Sequence, residues 1–133
     1  MARKVTPEQL LAIVQGKQNR IVERGREIVR DNGEYGAELV RDTVETSGTV
    51  GTGKRGRIET GDMLASVDSE YDEMPDGAKA VYGFVKDVPR YTRYQEHGTQ
   101  NIEAMNAVED ADMNVQVDFK RDIDRMMREE WGR

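Results

Sequence analysis

Apolar residues recur at helical spacing through the first third of this chain. Leu10, Leu11, Val14, Ile21, Val22, Ile28, Val29, Tyr35, Leu39 and Val40 mark the stripe, and Val14, Ile21, Ile28 and Tyr35 stand one heptad apart. The pattern predicts one long amphipathic helix from about residue 7 to the mid-forties. Its start is well marked. Thr6 can cap, Pro7 suits the first helical position, and Gln9 sits where a capping box needs it. Gly25 and the pair Asn32-Gly33 weaken the helix, and a kink or break near Asn32-Gly33 is expected. Gln18 and Asn32 fall where a coiled coil takes apolar residues, so a free-standing zipper is not expected.

Beyond this helix the period changes twice. Residues 46–58 hold four glycines and no apolar period, which predicts a flexible, basic loop. Thr60 to Val67 reads as a capped helical turn leading into a strand. Val67, Ser69 and Tyr71 alternate with acidic residues, and Met74-Pro75-Asp76-Gly77 has the composition of a tight turn. Ala80, Tyr82 and Phe84 then face one way, and Val81 and Val85 the other. Strand, turn and strand make a hairpin, which Pro89 ends. From Ile102 the helical period returns through Met105, Val108, Val115, Phe119, Ile123, Met126 and Met127. Met105, Met113, Phe119, Met126 and Met127 are expected to form the core face of this last helix. The expected fold is α+β, a single domain over 1–133: a long N-terminal helix, a small antiparallel sheet, and a long C-terminal helix packed on the sheet.

Composition narrows the function classes. The chain has 133 residues, 36% hydrophobic and 35% charged, so it either solvates its helices or buries its apolar stripe against copies of itself. It has no cysteine, which removes disulfides, Cys-zinc sites and thiol nucleophiles. No apolar run approaches membrane length and no secretory pattern opens the chain, so a soluble protein without a membrane partner is expected. The net charge of −6 argues against a generic nucleic-acid coat. Residues 1–58 hold 11 Lys or Arg against 8 Asp or Glu, whereas residues 59–133 hold 9 against 18. Such asymmetry suits head-to-tail contacts, and it equally suits a solvated surface.

Candidate chemistry is sparse. Gly48 to Lys54 satisfies the spacing of a phosphate-binding loop, but Arg55 stands where Ser or Thr would hold magnesium, and no buried strand precedes it. Lys54, Arg55 and Arg57 read instead as a basic cluster on a solvated loop that can meet DNA backbone or an acidic neighbour. His97 is the single histidine. Glu96 adjoins it, but neighbours in an extended segment point to opposite faces, so packing or surface is the better reading than catalysis. Asp118 with Asp122 and Lys120 with Asp124 lie one turn apart, as on a charge-laced helix. Asp68 to Glu73 lacks the central Gly and final Glu of a calcium loop. No catalytic residue, metal or cofactor is expected.

Two phrases carry a resemblance. Thr60-Gly61-Asp62-Met63-Leu64-Ala65-Ser66-Val67 is similar to Thr-Gly-x-Leu-x-x-Ser-Ile, with Leu64 one position late. Tyr91, Tyr94, Glu96, Gly98 and Thr99 match Tyr-Ala-x-Tyr-x-Glu-x-Gly-Thr, with Thr92 in place of Ala. In this order and spacing they resemble the neck or tail-completion proteins of long-tailed bacteriophages, the Hong Kong 97-type head–tail connector group to which the lambda Z protein is related. The usual Pro-Phe-Leu segment is absent, and Ala104 to Val108 stands in its place. The resemblance spans roughly residues 60 to 115.

The resemblance implies a structural virion protein rather than an enzyme. Copies would form a homo-oligomeric ring at the head–tail junction, having been made in the host bacterial cytoplasm. The ring would touch connector or head-completion proteins above and tail terminator or tail tube proteins below, and would line a channel crossed by genomic DNA. Thr60, Gly61, Leu64, Ser66, Tyr91, Tyr94, Glu96, Gly98 and Thr99 would shape the subunit contacts. Physical roles suggest themselves: Thr60 capping the short helix, Gly98 turning the chain at positive φ, Thr99 capping, and Glu96 accepting hydrogen bonds on the approach to a helix N-terminus. Alternatives are another small head–tail ring protein, such as a tail terminator or head-completion protein, or a small nucleic-acid-binding protein using Lys54, Arg55 and Arg57. A phosphohydrolase built on the glycine-rich loop is a remote third.

Overall fold

The structure, a computed structural model, describes residues 6–47, 62–90, 92–98 and 105–131. The elements run α1 (Pro7–Ser47), α2 (Asp62–Ala65), β1 (Val67–Met74), β2 (Gly77–Phe84), α3 (Thr92–His97) and α4 (Ala107–Trp131). The chain is therefore α+β: a long N-terminal helix, a two-stranded antiparallel sheet, and a long C-terminal helix.

The start of α1 follows the capping-box expectation in both directions. The Gln9 N–H donates to Thr6 Oγ1 at 3.2 Å, and the Thr6 N–H donates to Gln9 Oε1 at 3.0 Å. From there α1 runs through Asn32-Gly33 as one uninterrupted element. The pair does not divide the helix because packing occupies it. A Cβ on Gly33 would lie 2.7 Å from Ala80 Cβ, and one on Gly36 would lie 2.6 Å from the Tyr82 ring. These glycines let the helix backbone approach the sheet, which offsets their weak helix propensity. Asn32 is buried, its Nδ2 donating to Ile28 O at 2.9 Å and to Asp122 Oδ2 of α4 at 3.1 Å.

The hairpin closes through a two-residue turn, with Met74 opposite Gly77 and Val67 opposite Phe84. Its turn is held from α1. Arg26 donates from Nε to Gly77 O at 3.0 Å and from Nη2 to Met74 O at 2.6 Å. The Ala80, Tyr82 and Phe84 side of β2 faces inward, as the alternation predicts, while Val81 is exposed. Ala37, Val40, Val44, Met63, Val67, Met105, Ala107 and Ala111 form the core, with Leu39, Leu64, Tyr82, Phe84 and Val108 packed around it.

The last helix corrects two expectations. It starts at Ala107, and Met105 and Asn106 precede it in non-helical conformation. Its inward stripe is Ala107, Ala111, Val115 and Met126. Met105 is buried ahead of the helix, but Met113, Phe119 and Met127 are exposed. For Met113 the reason is rotational, since it stands two positions beyond Ala111 on the far side of the helix. Ala107 and Ala111, near the start of the helix, join the core with Val40 and Val44 of α1. At its other end α4 meets α1 through ion pairs, Arg20 to Glu130 at 3.2 Å and Arg24 to Glu130 at 3.3 Å. No helix among the described residues is long and apolar enough to cross a membrane.

Candidate functional site

The segment 92–97 is helical, not extended as expected. The helix puts Glu96 inward and His97 outward: Glu96 is 7% exposed, while His97 is exposed. Glu96 then does something the linear sequence only hints at. Its Oε1 accepts the Ala107 N–H at 2.5 Å and its Oε2 accepts the Val108 N–H at 2.8 Å. These are the first two amides of α4, which have no partner inside their own helix. A carboxylate at that position also meets the positive end of the helix dipole. The Glu96 carbonyl accepts the Asn106 N–H at 3.0 Å, which fixes the residue before the helix, held at φ +52°. One residue thus anchors the N-terminus of α4 by side chain and backbone together.

Gly98 completes the phrase. Its φ is +80°, and its N–H donates to Tyr94 O at 2.8 Å. That is a left-handed helix terminus of the kind glycine favours, as the sequence suggests. Tyr94 is exposed, with its ring under the Arg93 guanidinium at 4.8 Å and its hydroxyl accepting from Arg93 Nη2 at 2.7 Å. Tyr91 and Thr99 lie outside the described residues.

The upstream phrase also works on backbone. Ser66 is 1% exposed. Its Oγ donates to Met63 O at 2.7 Å, and its carbonyl accepts the N–H groups of Val85 at 2.9 Å and Lys86 at 3.1 Å. Ser66 therefore closes the short helix α2 and ties down the chain leaving β2. Leu64 packs against the core. Thr60 and Gly61 lie outside the described residues, as do Lys54, Arg55, Arg57 and nearly all of the loop at 46–58.

Glu96 and the segment that Ser66 ties down border one surface feature. The segment leaving β2, held by Ser66, and helix α3, held to α4 by Glu96, wall an open groove of about 550 Å³. Val81, Phe84, Val85, Val88, Pro89 and Val108 give it an apolar floor, and Arg90 and Arg93 stand on its wall. Thr92, also in the wall, has a buried Oγ1 with no hydrogen-bond partner among the described residues. On one flank Tyr82 Oη donates to Asp112 Oδ1 at 2.7 Å. Partial burial, with the Asp112 carboxylate beside it, pushes the Tyr82 phenol above its ordinary value. Just past the end of β2, the Lys86 ammonium at 2.5 Å holds the Asp68 carboxyl below the usual carboxylate range.

The groove offers an apolar floor with Arg90, Arg93 and His97 at its edge. Glu96, the one carboxylate in its wall, spends both oxygens on the α4 amides. Among the described residues no three His, Cys, Asp or Glu side chains are placed to hold a metal ion. Sequence reasoning missed the groove because its floor is drawn from β2, the following turn, α3 and α4. The signal available was the valine-rich stretch of Val81, Val85 and Val88 running into Pro89. In comparisons with protein-family models, with curated proteins and with solved structures, nothing matches this chain.

Proposed function

We propose that this chain is a structural virion protein, a ring-forming neck or tail-completion subunit that joins a phage head to its tail and lines the DNA channel. The observation that supports this reading best is the use made of the two phrases. Ser66, Glu96 and Gly98 spend their polar groups on backbone, and what they build is an apolar groove open to the surface. A groove of that kind serves binding to another protein surface. The uneven charge adds to this, because unlike halves favour contacts between different faces of successive copies. Its neighbours in the reading are head-completion or connector proteins on one side and tail terminator or tail tube proteins on the other.

Mass spectrometry of purified virions, with antibody labelling of particles, tests this. The protein is expected at a few copies per particle and at the head–tail junction. Its absence from particles would overturn the reading. Salt-sensitive DNA binding by the isolated protein, lost when Lys54, Arg55 and Arg57 are replaced by Ala, would move it to a nucleic-acid-binding function.

A further inference from the structure

Among the described residues, nothing covers the first turns of α1. The C-terminal end of α4 reaches α1 at Lys17, whose Nζ donates to Glu130 O at 2.5 Å and lies 4.9 Å from the Trp131 ring. Residues 6–15 lie beyond that point and are exposed throughout. They nevertheless carry Leu10, Leu11, Ile13 and Val14, exposed by 55%, 58%, 50% and 40%. Leu10, Ile13, Val14 and Lys17 follow the i, i+3, i+4, i+7 spacing by which a helix lays one face into a groove. The overhang continues the same stripe that α4 covers further along.

The open groove lies toward the opposite end of the molecule. The hairpin turn sits beside Arg26 of α1, and the strands run from there toward Arg41, whose Nη2 donates to Val67 O at 3.4 Å. The groove follows the end of β2, past that point. An apolar helix end therefore marks one pole, and an apolar groove the other. Their charges also complement. Glu8 is the single charged residue between Thr6 and Gly16, and Arg90 and Arg93 stand at the groove.

The geometry points to a second copy of this chain as the occupant: the α1 overhang of one protomer inserts Leu10, Ile13 and Val14 into the β2–α3 groove of the next. This deepens the ring reading of the preceding subsection and rests on it. The contact is heterologous, joining two different patches, so repetition closes a ring or extends a filament and does not stop at a two-fold dimer. A ten-residue helical segment spans about 15 Å and makes less than a standard stable interface, so each contact is weak alone and ring closure strengthens it.

The absence of native cysteine makes the test direct. Leu11→Cys and Val88→Cys are made in separate chains, each at an exposed side chain, then mixed near the solubility limit and treated with a short bismaleimide. The expected product is a cross-link between the two variants, with neither variant cross-linking to itself. Val14→Glu is expected to abolish it and to raise the concentration of half-assembly, seen by light scattering, about tenfold or more. Arg90→Glu weakens the cross-link, and Glu8→Arg in the partner chain restores it. Self-cross-linking of Leu11→Cys overturns the proposal in favour of two-fold packing through the overhang. Oligomers that form without the mixed cross-link overturn the contact while leaving the ring reading intact. A monomer at every concentration overturns the contact too, and the virion measurement then decides the ring reading by itself.

Discussion

Glu96 accepts the backbone N–H of Ala107 from eleven residues upstream, and by doing so sets where α4 begins. The same carboxylate takes the next amide, at Val108. The cap is tertiary, since its donor helix and its acceptor lie on different elements. It follows that α3 and α4 hold their mutual position largely through one residue, by side chain and by its carbonyl to Asn106.

Replacing that side chain therefore costs stability as well as groove shape. Glu96→Ala leaves two amides without an acceptor, one of them buried, and is expected to lower unfolding free energy by about 2–3 kcal/mol. Glu96→Gln keeps an acceptor oxygen for one amide and is expected to cost about 1 kcal/mol. Urea denaturation followed by circular dichroism measures both. Equal midpoints for the wild type and Glu96→Ala would show that the cap carries no weight.

Three glycines in α1 separate backbone propensity from packing. Gly25 has open space where a Cβ would go, so Gly25→Ala gains helix propensity and is expected to stabilise by about 0.5–1 kcal/mol. Gly36→Ala sets a Cβ at 2.6 Å from the Tyr82 ring, and Gly33→Ala sets one at 2.7 Å from Ala80 Cβ. Overpacking there exceeds the propensity gain, and each is expected to destabilise by about 1–3 kcal/mol. Thermal melts of the three variants check the ordering. A stabilising Gly36→Ala would mean that α1 and the sheet are further apart than described.

This contrast marks what can be read from the chain before its structure. The stripe from Leu10 to Val40, the Thr6–Gln9 box and the Met74–Gly77 turn depend on residues close in sequence, and each is legible. Gly33 and Gly36 are not, because a helix breaker and a packing glycine look alike until Ala80 and Tyr82 are placed against them. The segment from Thr92 to His97 has no apolar period, and its helix is held by Glu96 and Gly98 working on distant and local backbone. Met113 misleads for a related reason. Helical period reveals that a stripe exists, but the core shared with Val40 and Val44 of α1 takes Ala107 and Ala111 as the buried side. The role of Glu96 as an acceptor near a helix N-terminus is legible; the helix it caps becomes definite only once α4 is seen to start at Ala107.

Tyr82 provides a spectroscopic report on the flank of the groove. Its phenol is raised above the ordinary value of 10.0 by desolvation first and by Asp112 second. A group whose folded value is raised contributes stability that is complete below the unfolded value and lost as pH rises toward the folded one. Ultraviolet titration is expected to show a late-ionising phenol phase, and Tyr82→Phe removes that phase. Asp112→Asn brings the phase closer to the rest. A Tyr82→Phe titration that retains the late phase would place the buried phenol elsewhere.

The far end of α4 responds to acid instead. The Glu130 carboxyl is held below its ordinary value of 4.5, first by the hydrogen bond from Arg20 and then, against partial desolvation, by that from Arg24. A lowered folded value contributes stability that is present above the unfolded value and lost as pH falls below it through the folded one. Arg24 is exposed and also pairs with Glu129, so the effect is local and screened by salt. Hydrogen exchange of the last turn of α4 is therefore expected to lose protection as pH drops below about 4.5, after correction for the intrinsic rate. Glu130→Gln removes the pH dependence at the last turn and leaves the first unchanged. A loss of protection that persists in Glu130→Gln would mean that the pairs with Arg20 and Arg24 do not hold the last turn.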